Sequence, residues 1–118
     1  LEEIDVQREG AGIRHQKRFG EGGVNVNFME PGPGASQISI RTFERGVEGE
    51  TWSCGTGVTA AAITSCFQSG SDKNSYDIQT RGGRLNVSFK IQDHSHFTEI
   101  YLSGPALHVY DGSIDIVV

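Results

Sequence analysis

Strict alternation of apolar and polar residues marks a half-buried strand. The chain shows it first at Val24-Asn25-Val26-Asn27-Phe28, where both asparagines fall on one face. Glu30-Pro31-Gly32-Pro33-Gly34 then forces a turn. Gln37 to Phe43 resumes the alternation, with Ile38 and Ile40 on one face and Ser39 and Arg41 on the other. The two stretches read as an antiparallel pair. Upstream, Ile4 to Arg18 carries a weak helical pattern with Asp5 at the cap position. Gly10 and Gly12 interrupt it, each at about 1 kcal/mol relative to alanine. Arg45 to Glu50 is polar and glycine-punctuated, and reads as loop.

The period changes at Gly55. From there to Phe67 the pattern is helical, with Ala60-Ala61-Ala62 inside it and Gly70 placed as a C-cap. Small residues around the circumference predict a helix enclosed by sheet, where large side chains would not fit. Asp77 to Arg81 and Arg84 to Ile91 flank Gly82-Gly83, a two-residue hairpin turn. Gln92 to His96 reads as the next hairpin loop and Phe97 to Ser103 as its return strand. Gly104-Pro105 breaks the pattern, after which Leu107 to Tyr110 and Ser113 to Val118 read as further strands. The predicted class is α+β: a curved antiparallel sheet wrapped around a central helix.

Composition narrows the function classes. At 118 residues the chain is one domain, spanning 1–118. Sixteen glycines, with only 36% apolar residues, fit many short elements joined by tight turns. A net charge of -5 argues against nucleic acid as a partner, because phosphate binding needs a cationic surface. The basic run Arg14-His15-Gln16-Lys17-Arg18 is flanked by acidic residues and reads as a solvated face. No apolar run approaches the ~20 residues of a membrane span, and no signal peptide is recognisable, so the expected compartment is cytoplasmic. A start without methionine suggests a chain cut from something longer.

The chemistry concentrates at Ser53-Cys54-Gly55-Thr56-Gly57, where loop becomes helix. A helix N-terminus carries roughly half a positive charge and unpaired N–H groups, which favour a thiolate at Cys54. The N–H groups of Gly55 and Thr56 make a cradle suited to a carboxylate, with glycine allowing close approach. A thiol beside a bound carboxylate is placed to move a proton at the adjoining carbon. The competing reading is a buried structural cysteine. Cys66 fits that bland reading: a helix rising about 1.5 Å per residue puts it roughly 18 Å from Cys54, while a disulfide needs Cα atoms within about 7 Å. Glu44 and Arg45, at a strand end, suit the ammonium and carboxylate of a zwitterion, or form a surface ion pair. Asn25 and Asn27 are edge residues or amide ligands for a polar substrate. His94 and His96 lack an evident third ligand, so no metal is expected.

Three segments carry a family resemblance: Gly23-Val24-Asn25-Val26-Asn27-Phe28, Ile40-Arg41-Thr42-Phe43-Glu44-Arg45-Gly46, and Glu50-Thr51-Trp52-Ser53-Cys54-Gly55-Thr56-Gly57. In this order they resemble the C-terminal half of diaminopimelate epimerase. Gly82-Gly83-Arg84-Leu85 and Ser103-Gly104-Pro105-Ala106 fit the later strands. The resemblance implies one of two pseudo-symmetric halves of a cofactor-independent isomerase interconverting LL- and meso-diaminopimelate, in bacterial lysine and cell-wall synthesis. It implies that Cys54 is one of two thiols on opposite faces of the substrate α-carbon. It places the reacting carboxylate on the amides of Gly55 and Thr56, the distal carboxylate on Asn25 and Arg45, and the distal ammonium on Glu44. The implied partners are diaminopimelate and the missing N-terminal domain.

Two departures qualify this. The stretch Val47-Glu48-Gly49 is one residue longer than the commonest family pattern, and the family's other half, with its own cysteine, is absent. A two-base inversion needs both bases, so the chain alone is expected not to epimerise. Two alternatives stand beside this reading. One is a related isomerase of the same fold, proline racemase-like or phenazine-biosynthesis-like. A proline site, however, has no use for a distal zwitterion grip such as Glu44-Arg45 with Asn25. The other is a stand-alone binding or dimerisation domain, in which a homodimer would bring two copies of Cys54 together.

Overall fold

The computed structural model describes all residues, Leu1–Val118. Helix α1 spans Val6–Arg14, followed by a single 3-10 turn at Lys17–Phe19. Strands β1 (Val26–Pro31), β2 (Gln37–Glu44) and β3 (Gly49–Thr51) precede helix α2 (Gly55–Ser69). Strands β4 (Ser75–Thr80), β5 (Gly83–Asp93) and β6 (His96–Ser103) follow it. The fold is α+β, a curved and open sheet with two helices. Its strand order is β1-β2-β4-β5-β6, with β3 paired to the C-terminal end of β2.

The expected N-terminal helix is shorter than its pattern, ending at Arg14 rather than Arg18. Asp5 does cap it, accepting from the Arg8 N–H at 3.1 Å. Gly10 is explained by packing: an added Cβ would overlap the Phe43 side chain. The β1–β2 pair is antiparallel as read, with Asn27 opposite Thr42. The predicted loop Arg45–Glu50 is only partly loop, because Gly49–Thr51 folds back on β2 as β3. The hairpin turn after β4 is Arg81-Gly82 rather than Gly82-Gly83, since Thr80 pairs with Gly83.

The largest topological correction concerns the purely antiparallel sheet. Gln37–Ser39 of β2 pairs parallel with Asp77–Gln79 of β4. Chain leaving β2 turns through β3 and crosses over by α2, and a helical crossover returns the next strand in parallel.

Alternation puts the two helices on opposite faces. Ile38 and Ile40 join Tyr76, Ile78, Val87 and Phe89 beneath Val58, Ala61, Ala62 and Cys66 of α2. Val26 and Phe43 point the other way and pack against Val6 of α1. Burying each large apolar side chain of this kind contributes about 1.5–3 kcal/mol. Enclosure of α2 is one-sided, leaving Ala60, Thr64 and Phe67 exposed. His94 stacks on Phe67 with ring centroids 4.9 Å apart. Cys66 is core, its burial pushing the thiol above its ordinary range, and both cysteines are free.

The expected strands at Leu107–Tyr110 and Ser113–Val118 do not form. Residues 104–118 are exposed and without regular structure, with Leu107, Val109, Ile114 and Ile116 at 79–86% exposure. A strand needs a neighbour for its N–H and C=O groups, and this chain offers none there. The radius of gyration, 16.8 Å, accordingly exceeds the roughly 13.5 Å of a compact chain this long.

Arg41 ties the amino-terminal segment to the sheet. It is 9% exposed, forks Glu50 at 2.7 and 2.8 Å, and donates to the carbonyls of Leu1, Glu2 and Ile4. Glu50 also takes the Arg81 Nε at 2.9 Å. The Arg41 hydrogen bonds hold the Glu50 carboxyl below the usual carboxylate range. A carboxyl lowered in the folded state stabilises it fully above the unfolded value, near 4.3, and loses that contribution as pH falls through the folded value. Glu50→Gln is expected to cost about 2 kcal/mol at pH 7 and to flatten the loss of stability below about pH 4. Urea unfolding at pH 7 and pH 3.5 measures both; equal acid sensitivity in the two proteins would contradict it.

Candidate functional site

Cys54 is the N-cap of α2, with extended backbone (φ -128°, ψ 107°) and no side-chain cap bond. The helical ladder begins with the Val58 N–H donating to the Cys54 carbonyl at 2.9 Å. The N–H groups of Gly55, Thr56 and Gly57 therefore lie before the first i→i−4 bond, at the positive end of a fifteen-residue helix. The Cys54 side chain is buried, 8% exposed, and its Sγ lies 3.4 Å from the Thr56 hydroxyl. Leu102 of β6 reaches over Gly55, where an added Cβ would stand 3.0 Å from its Cδ2. Trp52, two residues before the thiol, is 74% exposed.

Asn25 joins the two sequence constellations. Its Oδ1 accepts from the Arg45 N–H at 2.7 Å, and its Nδ2 faces the Cys54 Sγ at 4.0 Å. The amide oxygen is thus committed to backbone, leaving the NH2 group as its available donor. Glu44 is the last residue of β2, and Arg45 is exposed just beyond it. Neither side chain takes part in a salt bridge, so the surface-pair reading of Glu44-Arg45 does not describe this structure. Both charges remain available to a ligand.

Asn27 shares the face of Asn25 but not its role. It accepts the buried Thr42 hydroxyl at 2.8 Å and lies directly against Gly57, filling the space a Cβ would need. This contact fastens β1 to the first turn of α2. The sequence signal was present in Gly57 and in the two asparagines on one face, but nothing local shows that they meet. The Arg14–Glu48 pair gave no such signal. Arg14 donates from Nε to Glu48, 2.6 Å away, across 34 residues of chain.

Fold and site together define a class: a mixed α+β domain presenting a thiol at a helix N-terminus, with an amide and an unpaired acid–base couple alongside. Crystal structures of phenazine biosynthesis proteins of the PhzF family share the fold. The one from Bacillus anthracis superposes with a TM-score of 0.54 at 23% identity, covering 82% of this chain and 29% of that one. The one from Enterococcus faecalis gives 0.52 at 19% identity, covering 76% and 32%. Sequence carries the assignment further. The diaminopimelate epimerase family pattern matches residues 1–109, and the chain belongs to that family. It is 46% identical over 114 residues to the diaminopimelate epimerase of Flavobacterium psychrophilum, covering 97% of this chain and 44% of that protein. Identity to the Chlorobaculum tepidum enzyme is also 46%, over 119 residues, covering 98% of this chain and 44% of that protein. The chain thus spans less than half the length of these relatives. No helix is long and apolar enough to cross a membrane.

Proposed function

We propose that these residues, as 1–118, form the C-terminal half of a cofactor-independent epimerase interconverting LL- and meso-diaminopimelate. In this reading Cys54 is one of the two thiols. The observation that carries it is Cys54 at the start of α2 beside Asn25, in a chain 46% identical to diaminopimelate epimerases.

The step conserves atoms and electrons. The Cys54 thiolate takes the α-proton from one face, forming S–H, and the C–H electron pair stays on the α-carbon, delocalised into its carboxylate. A thiol of the other half delivers its proton to the opposite face, inverting the centre. The amides of Gly55 and Thr56 hold the reacting carboxylate and stabilise its added charge, because they point where that charge develops. At the far end Arg45 forks the distal carboxylate, with the Asn25 NH2 as second donor, and Glu44 takes the distal ammonium. This double grip would select a substrate with two amino-acid ends.

Two features support a partner half closing over the site. Trp52 and Leu102 present exposed apolar surface beside Cys54, and the 104–118 segment carries an alternating apolar strip suited to pairing with another sheet. The test is conversion of LL-diaminopimelate in heavy water, followed by NMR. The chain joined to its complementary half is expected to invert the centre and incorporate deuterium at the α-carbon. The isolated chain is expected to do neither; turnover by it above a Cys54→Ala control would overturn the two-half reading.

A further inference from the structure

A closed ring of contacts surrounds the junction between Asn25 and Arg45. On one side, α1 holds Glu48 of the Gly46–Glu48 turn with one residue from its first turn and one from its last. Gln7 Nε2 donates to the Glu48 carbonyl at 3.1 Å, while Arg14 Nε donates to the Glu48 carboxylate at 2.6 Å. Gln7 and Arg14 lie seven residues apart, about two helical turns, so both face this loop. The Glu48 carboxylate also accepts from the Gly46 N–H at 2.9 Å and lies 3.3 Å from His15 Nε2. Glu48 itself sits at φ 58°, a left-handed conformation that a glutamate holds only where its contacts over-determine it. On the other side, Arg14 Nη1 donates to the Gly22 carbonyl at 3.3 Å. The same guanidinium fills the space where Gly23, at φ 63°, would carry a Cβ. Two residues beyond Gly23 is Asn25, whose Oδ1 accepts from the Arg45 N–H and closes the ring.

We infer that Arg14, clamped to Glu48, is a positioning residue that sets Arg45 against Asn25 and so fixes the distal end of the substrate site. This rests on the proposed roles of Asn25 and Arg45. Three observations favour a placing role over a merely stabilising one. Arg14 is largely covered, its side chain 12% exposed, although its partner Glu48 is 42% exposed. An ion pair open to water on one side adds little to global stability. Its ties run to the two loops flanking the site, away from the helix-to-sheet core. Glu48 belongs to the Val47-Glu48-Gly49 stretch, and the Arg14 contact holds that stretch down on α1.

The experiment uses the chain with its complementary half and the variants Arg14→Met, Glu48→Gln and Arg14→Lys. Arg14→Met and Glu48→Gln are expected to raise KM for diaminopimelate about tenfold, with kcat within about twofold of the parent, because ligand placement rather than proton transfer is disturbed. Arg14→Lys keeps the charge but not the fork to Gly22, and its KM should fall between those of the parent and Arg14→Met. An unchanged KM in both charge-removing variants, or a fall in kcat and melting temperature together, would overturn the inference. A separate readout needs no turnover: hydrogen exchange at the Arg45 amide of the 118-residue chain should quicken about tenfold in Arg14→Met, with β4–β5 amides unaffected. If the parent fails to convert diaminopimelate, the proposed function falls, and Arg45 exchange alone decides whether Arg14 sets this junction.

Discussion

Cys54→Ala, made in the chain joined to its complementary half, is expected to lower kcat for epimerisation by about a thousandfold or more in both directions. A positioned acid or base contributes roughly 10²–10⁴, and under the proposed function the group removed is the proton acceptor in one direction and the donor in the other. KM should change little, because in the proposed function Arg45, Glu44 and the helix amides grip the substrate and sulfur does not. The variant also makes a qualitative prediction. One thiol remains on the far face, so the epimer whose α-hydrogen points there should still exchange it with heavy water, without inversion. The other epimer should not exchange. Cys54→Ser is expected to fare hardly better, since a hydroxyl is a far weaker acid than a thiol and its conjugate base is scarcely populated near neutrality. A kcat within tenfold of the parent in Cys54→Ala would remove Cys54 from the chemistry.

That prediction rests on what the sequence made most legible. A thiol followed by Gly55-Thr56-Gly57 and an alanine-rich run could only be a helix start, because glycine is tolerated there and small residues continue a buried helix. The β1–β2 hairpin was legible for a similar local reason: alternation, then two prolines and two glycines, then alternation again. What escaped depends on contacts far apart in sequence. Arg41 falls on a polar face by pattern, yet it is buried by carbonyls from Leu1, Glu2 and Ile4, about forty residues away. The parallel β2–β4 pairing follows from the path of α2, which no local pattern records. The turn after β4 is displaced by one residue, and its Gly82 N–H donates to the distant Trp52 carbonyl at 2.8 Å, a contact no local pattern records. Leu107–Val118 shows the converse: the alternation is written clearly, but a strand is a property of a pair.

Gly57→Ala brings two effects into direct opposition. Within a helix, alanine is favoured over glycine by about 1 kcal/mol, so propensity alone predicts a more stable protein. The added methyl would, however, overlap the Asn27 side-chain amide. Overpacking of this kind costs about 1–3 kcal/mol. Displacing Asn27 also strips the acceptor from the Thr42 hydroxyl, in a residue that is only 3% exposed. An orphaned buried hydroxyl adds about 1–3 kcal/mol. The balance is a loss of about 2 kcal/mol, or a melting temperature lower by roughly 5–10 °C. The effect on turnover should be larger. The first turn of α2 carries Cys54 and the amides of Gly55 and Thr56, and a shift near 1 Å in reacting groups costs about a hundredfold in rate. Asn27→Ala in the Gly57→Ala background removes the obstruction and should return the overpacking part of the stability loss and much of the turnover, although the Thr42 hydroxyl stays without its acceptor; such a coupling is expected only for side chains in contact. A rise in melting temperature for Gly57→Ala alone would mean that propensity wins and that the helix start is not braced by Asn27. A fall that Asn27→Ala leaves uncorrected would place the strain elsewhere in the turn.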